Sequence, residues 1–177
     1  MDEKLEVIAE TKYLRLVRRG NWEFIQRSNA TGVVLIVPLT DNDNLLFIEQ
    51  YRPPVDSRVI EFPAGLAGDI PDAPDEALEA AARRELLEET GYDASEIKQV
   101  FSGPSSAGLT DEKTTFFIAR GLSKVGPGGG DASEDITNHE IPRAQADNWL
   151  QAKTDEGCLV GARIYTGLYL LNRELNC

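Results

Sequence analysis

The segment Arg84-Glu85-Leu86-Leu87-Glu88-Glu89-Thr90-Gly91-Tyr92 sets three carboxylates at i, i+3 and i+4. On a helix those positions share one face, about one turn apart. Like charges at that spacing repel each other and weaken the helix, so the face requires a positive partner. A cluster of hard oxygen ligands is what Mg²⁺ or Mn²⁺ selects. Arg84 stands just before the first carboxylate and reaches Glu88 at i+4, and Glu76 lies eight positions ahead of Arg84. Gly91 falls where a helix stops on a left-handed residue. Glu-rich helices are commonly no more than solvated faces. Here a strand-like stretch, Arg58-Val59-Ile60-Glu61-Phe62, runs into Pro63-Ala64-Gly65 ahead of the helix. The joint pattern points to a metal site.

The remaining chain bounds what such a site can serve. A length of 177 residues suits one domain with a full core, alone or with a small appendage. No apolar run approaches the length of a membrane span. The charged start Met1-Asp2-Glu3-Lys4 lacks the apolar centre of a signal peptide. Two cysteines, Cys158 and Cys177, make no disulfide framework, so a reduced, cytoplasmic compartment is expected. The net charge of −12 argues against nucleic acid and against an anionic membrane as partners. An anionic substrate is compatible with that charge if divalent cations screen the site and a few arginines grip it locally.

Periodicity gives an α/β order. Residues 5–18 and Trp22 to Arg27 read as strands, separated by the turn at Arg19-Gly20-Asn21. The β-branched run Val33-Val34-Leu35-Ile36-Val37 reads as a buried strand, and Leu45 to Gln50 as its hairpin partner across Asp41-Asn42-Asp43-Asn44. A strand at Val59 to Phe62 precedes a helix from about Asp75 to Thr90. Further strands are expected at 97–103, 113–119 and 135–141, and helices at 143–153 and 160–174. In the last helix Ile164, Leu168 and Leu171 repeat at core spacing. Gly126-Pro127-Gly128-Gly129-Gly130 marks a mobile loop.

Glu76, seven residues, Arg84-Glu85-Leu86, one residue, Glu88-Glu89, one residue and Gly91-Tyr92 together resemble the signature of the Nudix hydrolases. The segments Glu49-Gln50-Tyr51-Arg52-Pro53-Pro54, Glu61-Phe62-Pro63-Ala64-Gly65-Leu66 and Ala162-Arg163-Ile164-Tyr165 are similar to the branch that acts on ADP-ribose and nucleoside diphosphate sugars. The resemblance implies a Nudix α/β/α sandwich with a mixed sheet over 31–177. It also implies an N-terminal β-segment over 1–30 that serves a homodimer and part of the substrate site. One departure stands out. The family signature opens with a glycine five residues before its first glutamate, whereas this chain has Ile70 there. Gly65 is the counterpart, and Asp69-Ile70-Pro71-Asp72-Ala73-Pro74 reads as a surface insertion ahead of the helix.

Spacing and resemblance together assign roles. Glu85 and Glu89 are the first choices as metal ligands, since i and i+4 lie most nearly in register, with Glu88 binding directly or through water. The resemblance adds the carbonyl of Ala64. Arg84 orients the glutamates by salt bridge, and Glu76 is structural, near the helix start where negative charge suits the dipole. The resemblance puts a general base in the late glycine-rich loop. There Glu134 occupies the family position, and Asp131 and Asp135 are fallbacks. Arg52 resembles the phosphate-binding arginine of the branch, and Arg27 is a second candidate. Trp22-Glu23 is similar to a pair that contacts adenine, the ring by stacking and the carboxylate by accepting from the amine. Trp22 fits an interface or core aromatic equally well. The counterpart of a second stacking tryptophan falls at Leu5, which cannot stack. Glu112 lies in a loop beside the family's site, where it is a candidate for substrate contact or for metal or base support. His139, the only histidine, reads as a sheet or surface residue.

The expected reaction is Mg²⁺- or Mn²⁺-dependent hydrolysis of the pyrophosphate bond of ADP-ribose or a related nucleoside diphosphate sugar. Its products are a nucleoside monophosphate and a sugar phosphate. The alternatives are a hydrolase for a GDP-sugar or an oxidised nucleotide, and a non-catalytic ADP-ribose sensor.

Overall fold

The computed structural model describes residues 3–70, 72–130 and 135–176. Two four-stranded sheets and three helices form the body, and a separate three-stranded sheet stands at the N-terminus. That N-terminal sheet is a meander of β1 (Glu6–Glu10), β2 (Leu14–Arg19) and β3 (Trp22–Arg27). The expected single strand over 5–18 is therefore two. The chain reverses at Thr11, whose hydroxyl and backbone N–H both bond the carbonyl of Leu14.

The first body sheet runs β7-β4-β9-β8, from β4 (Gly32–Pro38), β7 (Ala64–Ala67), β8 (Tyr92–Pro104) and β9 (Lys113–Lys124). The second runs β10-β5-β6-β11, from β5 (Asn44–Arg52), β6 (Ser57–Glu61), β10 (Thr137–Pro142) and β11 (Leu159–Val160). Both are mixed: β4 is parallel to β9, β6 is parallel to β11, and the other pairs are antiparallel. The expected β4–β5 hairpin does not form. Both edges of β4 are already taken by β7 and β9, and β5 pairs instead with β6 and β10, leaving only a bridge at Leu39–Leu45.

Helix α1 (Leu78–Thr90) packs Ala81, Ala82 and Leu86 on one face of the first sheet, against Val34, Ile36, Phe117 and Ala119. The opposite face carries Leu35, Val37, Phe116 and Ile118. There it meets Phe47, Ile60 and Phe62, and beyond them α2 (Ala146–Asp155) and α3 (Ala162–Leu175). Strand alternation explains the two cores: β4 buries odd residues on one side and even residues on the other. In α3, Ile164 and Leu171 are buried and Leu168 is half-buried, as their spacing predicts. This is the layered α/β/α arrangement with a mixed sheet at its centre. Among the described residues, no helix is long and apolar enough to cross a membrane.

Candidate active site

Helix α1 begins at Leu78, three residues later than its acidic lead-in suggested, and stops at Gly91, where φ is +74°. Only a residue without a Cβ takes that conformation cheaply. The stop lets the chain turn directly into β8. It leaves Glu85, Glu88 and Glu89 in the last two turns, facing β7.

Each of the three carboxylates has a distinct partner. Glu89 is only 2% exposed, and its Oε2 accepts from the backbone N–H of Ala64 at 2.9 Å. Glu85 lies over Gly65 so closely that a Cβ built there would stand 2.0 Å from its carboxyl carbon. Glu88, with a half-exposed side chain, bonds Arg84 at 3.1 Å. Arg84 is the hub. Its Nη1 donates to Glu85 and Glu88, its Nε and Nη2 donate to Glu76, and Nη2 also reaches the carbonyl of Leu66 and Asp69. The guanidinium thus ties the 66–76 segment to the helix. Glu76 precedes the helix, and its bond to Arg84, more than any dipole, holds its carboxyl below the usual range.

Whether these residues suit a divalent cation follows from their charge. Burial pushes the Glu85 carboxyl up to about 7, against the pull of Arg84, and Glu88 and Asp69 add to the push. One guanidinium leaves the local negative charge under-compensated, and the donors are hard oxygens of the kind Mg²⁺ and Mn²⁺ take. Among the described residues, no three Asp, Glu, His or Cys side chains converge into a ready cage. Glu88 is the side chain free to complete one, because an exposed i,i+4 ion pair holds it by only about 0.5 kcal/mol. The donor set therefore fits a divalent cation, which Glu85, Glu88, Glu89 and the Ala64 carbonyl would hold.

Beside this face opens a cavity of about 580 Å³, lined by Ala64, Gly65, Glu85 and Asp69 and also by Arg52, Glu61 and Arg163. Arg27 and Glu112 also line it, bonded to each other at 2.6 Å. Their contact is one of a series that fastens β3 to the 109–112 loop. The Ile25 N–H donates to the Leu109 carbonyl at 2.8 Å, and Gln26 donates to Asp111 at 2.5 Å. Glu112 thus faces the cavity as a partner of Arg27.

Trp22 is 67% exposed, so it is not a core aromatic. With Phe24, Ala107 and Gly108 it lines a separate hollow of about 300 Å³. Neighbouring residues of a strand point to opposite faces. Glu23 accordingly lines neither hollow, and its carboxylate is bonded by Arg18 at 2.7 Å.

The glycine-rich loop meets α1 at its C-terminal end. The Gly129 N–H donates to the Glu89 carbonyl at 2.8 Å and the Gly130 N–H to the Glu88 carbonyl at 3.0 Å. These are carbonyls that a helix leaves unpaired at its last turn. On the far side of the loop, Asn138 Nδ2 also donates to the Glu89 carbonyl at 2.9 Å, and Asp135 bonds Arg58 at 3.1 Å. Glu134 and Asp131 lie outside the described residues. His139 is half-buried on β10, where it bonds Glu49 at 3.0 Å and packs beside Trp149. Its sheet position is the expected one.

Sequence reasoning placed Arg163 in a segment similar to the branch but gave it no role at the site, since nothing in that segment signals which cavity it lines. Only the parallel pairing of β11 with β6, which delivers the start of α3 to Glu61, puts it there.

Residues 30–154 match the NUDIX domain model, and the chain belongs to the Nudix family. It is similar to the methanol dehydrogenase activator of Bacillus methanolicus, 32% identical over 123 residues that cover 69% of this chain and 64% of that protein. It is 35% identical over 116 residues to the ADP-ribose pyrophosphatase of Mycobacterium tuberculosis, covering 65% of this chain and 54% of the other. To the GDP-mannose pyrophosphatase of Enterobacter sp. (strain 638) it is 34% identical over 138 residues, 73% of this chain and 68% of the other. The chain thus spans less than two thirds of the first two relatives. The crystal structure of an ADP compounds hydrolase superposes with a TM-score of 0.74 at 23% identity, covering 98% of this chain and 92% of that one. That likeness concerns the fold.

Proposed function

We propose that this chain hydrolyses the pyrophosphate bond of ADP-ribose or a related nucleoside diphosphate sugar, using Mg²⁺ or Mn²⁺. The observation that carries this reading is the cavity that Glu85 of α1 lines together with Arg27, Arg52 and Arg163. A diphosphate needs both: cations near the phosphorus under attack and fixed donors on the other phosphate. The names of the pyrophosphatase relatives support the substrate class.

A bound divalent cation supplies Lewis-acid polarisation of the phosphoryl oxygens and a more acidic water. Glu85, Glu88, Glu89 and the Ala64 carbonyl hold it, and Arg84 keeps the glutamates in place. Arg52 and Arg27 grip the phosphates. Glu134 takes the proton as the water oxygen bonds to one phosphorus. The bridging P–O bond then breaks, and its electron pair leaves on the other phosphate. A nucleoside monophosphate and a sugar phosphate result. Glu112 orients Arg27 and bounds the substrate. Trp22 offers an exposed aromatic face for the base, while Glu23 has its carboxylate engaged by Arg18.

Residues 1–30 form the dimerisation segment in this reading. Val7, Ile8 and Leu14 leave apolar surface on the N-terminal sheet, which a second copy covers. The two-domain division, the homodimer and a cytoplasmic setting belong to the same proposal. A GDP-sugar is the second reading, favoured by the GDP-mannose pyrophosphatase relative, which has the widest coverage of the three.

The test is monophosphate release from ADP-ribose, ADP-glucose, GDP-mannose and an oxidised nucleoside triphosphate, each with Mg²⁺ and with Mn²⁺. Release from a diphosphate sugar is the expected result. No cleavage of any, with tight ADP-ribose binding, identifies a sensor instead.

A further inference from the structure

Two of the arginines that line the cavity are held by one carboxylate. Glu61 is only 9% exposed, and it holds two arginines with separate oxygens. Arg52 Nε donates to Oε2 at 2.7 Å, and Arg163 Nη2 donates to Oε1 at 3.3 Å. Two guanidiniums on one carboxylate leave a net charge of +1. Both arginines and Glu61 line the same cavity as Glu85 and Asp69.

The fold makes this arrangement rigid. β11 runs parallel to β6 with Val160 opposite Ile60, and the Gly161 N–H donates to the Ile60 carbonyl at 2.9 Å. The chain therefore enters α3 directly beside Glu61, and Arg163 falls in the first turn of that helix. Arg52 ends β5, opposite Ser57 on β6. The two arginines come from different elements, and Glu61 is the carboxylate to which both bond.

We propose that Arg163 is a further phosphate-binding residue beside Arg52 and Arg27, and that Glu61 is the positioning residue that holds it and Arg52 as a preset pair. The diphosphate then lies across the cavity, one phosphate toward Glu85 and the other on the arginine pair. This rests on the reading of the cavity as a nucleoside diphosphate site. Presetting matters because each long side chain otherwise loses rotamer freedom on binding. Held forks donate to planar or tetrahedral oxyanions without that cost. A plain structural staple between α3 and the sheet would affect stability alone.

The deciding experiment titrates inorganic pyrophosphate into the cation-free protein by calorimetry, comparing wild type with Arg163→Gln, Arg163→Lys and Glu61→Gln. Arg163→Gln keeps the stem and should weaken binding about tenfold, the size of one charge-assisted bond. Arg163→Lys should recover part of the loss. Glu61→Gln should weaken binding by a smaller factor, because both charges remain while their spacing is released. With substrate and cation, Arg163→Gln should raise KM about tenfold and leave kcat within a few-fold. Wild-type affinity for pyrophosphate in both Arg163→Gln and Arg163→Lys would overturn the proposal and leave a staple. If wild type releases no monophosphate while Arg163→Gln still loses pyrophosphate, the hydrolase reading fails and the arginine pair stands.

Discussion

The carboxyl group of Glu85 occupies the space that a side chain on Gly65 would fill, with its carbon 2.0 Å from the position of such a Cβ. The glycine of β7 and the glutamate of α1 are therefore interdependent. The strand accepts the carboxylate only because the side chain there is a hydrogen.

Gly65→Ala should displace Glu85 from its place over the strand at Gly65. A shift of the order of 1 Å in a reacting constellation costs about 100-fold in rate. We expect kcat with Mg²⁺ to fall by about that factor while the circular dichroism spectrum keeps its native form. An alanine variant with wild-type kcat would show that Glu85 does not need this seat.

Arg84 compensates Glu76, Glu85, Glu88 and Asp69. Arg84→Ala leaves Glu76 and Glu85 poorly exposed and without their cation. The expected destabilisation is about 3 kcal/mol, as for breaking a buried pair. Urea unfolding checks it, and millimolar Mg²⁺ should restore part of the loss by binding the folded state.

Acid should unfold the protein partly through Glu49. Burial raises this carboxyl, but Arg58 at 2.6 Å, His139 at 3.0 Å and Lys153 at 3.4 Å outweigh it and hold the folded value below the ordinary 4.5. A depressed carboxylate contributes stability that is fully present above its unfolded value and is lost as pH falls through its folded one. The urea midpoint should therefore lose this contribution only below about pH 4.5. Glu49→Gln should lower the midpoint at pH 7 and flatten the decline at acid pH.

Asn138 and Gly129 share the Glu89 carbonyl, so the late loop is latched to the helix that carries the carboxylates. Asn138→Ala should cost about 1 kcal/mol of stability, one ordinary hydrogen bond. If the loop delivers the base, kcat should fall about tenfold with KM nearly constant, a misplacement effect. Steady-state kinetics beside a thermal melt separate the two.

What was legible in the sequence was local. The α1 carboxylate face, its stop at Gly91 and the apolar runs of β4, β5 and β6 follow from periods of 3.6 and 2 within single segments. Partner choice was not, because it depends on which edges the rest of the chain leaves open. β4 takes β7, a short Ala-Gly-Leu-Ala stretch without β-branched residues, and so pushes β5 into another sheet. The carboxylates that α1 brings to the site sit on one helix and could be read from spacing. The arginine pair could not. Arg52 and Arg163 are 111 positions apart and meet only through Glu61 and the β6–β11 register.

The central claim is that the α1 carboxylates make pyrophosphate hydrolysis cation-dependent. The most direct measurement is monophosphate release from ADP-ribose and GDP-mannose by wild type and by the Glu85→Gln, Glu89→Gln double variant, across a range of Mg²⁺ and Mn²⁺ concentrations. Wild type should release monophosphate only with the cation, and the double variant should be slower by at least about three orders of magnitude at saturating cation, consistent with losing electrostatic stabilisation of the transition state. Double-variant activity close to that of wild type, or wild-type activity undiminished by a chelator, would contradict the account.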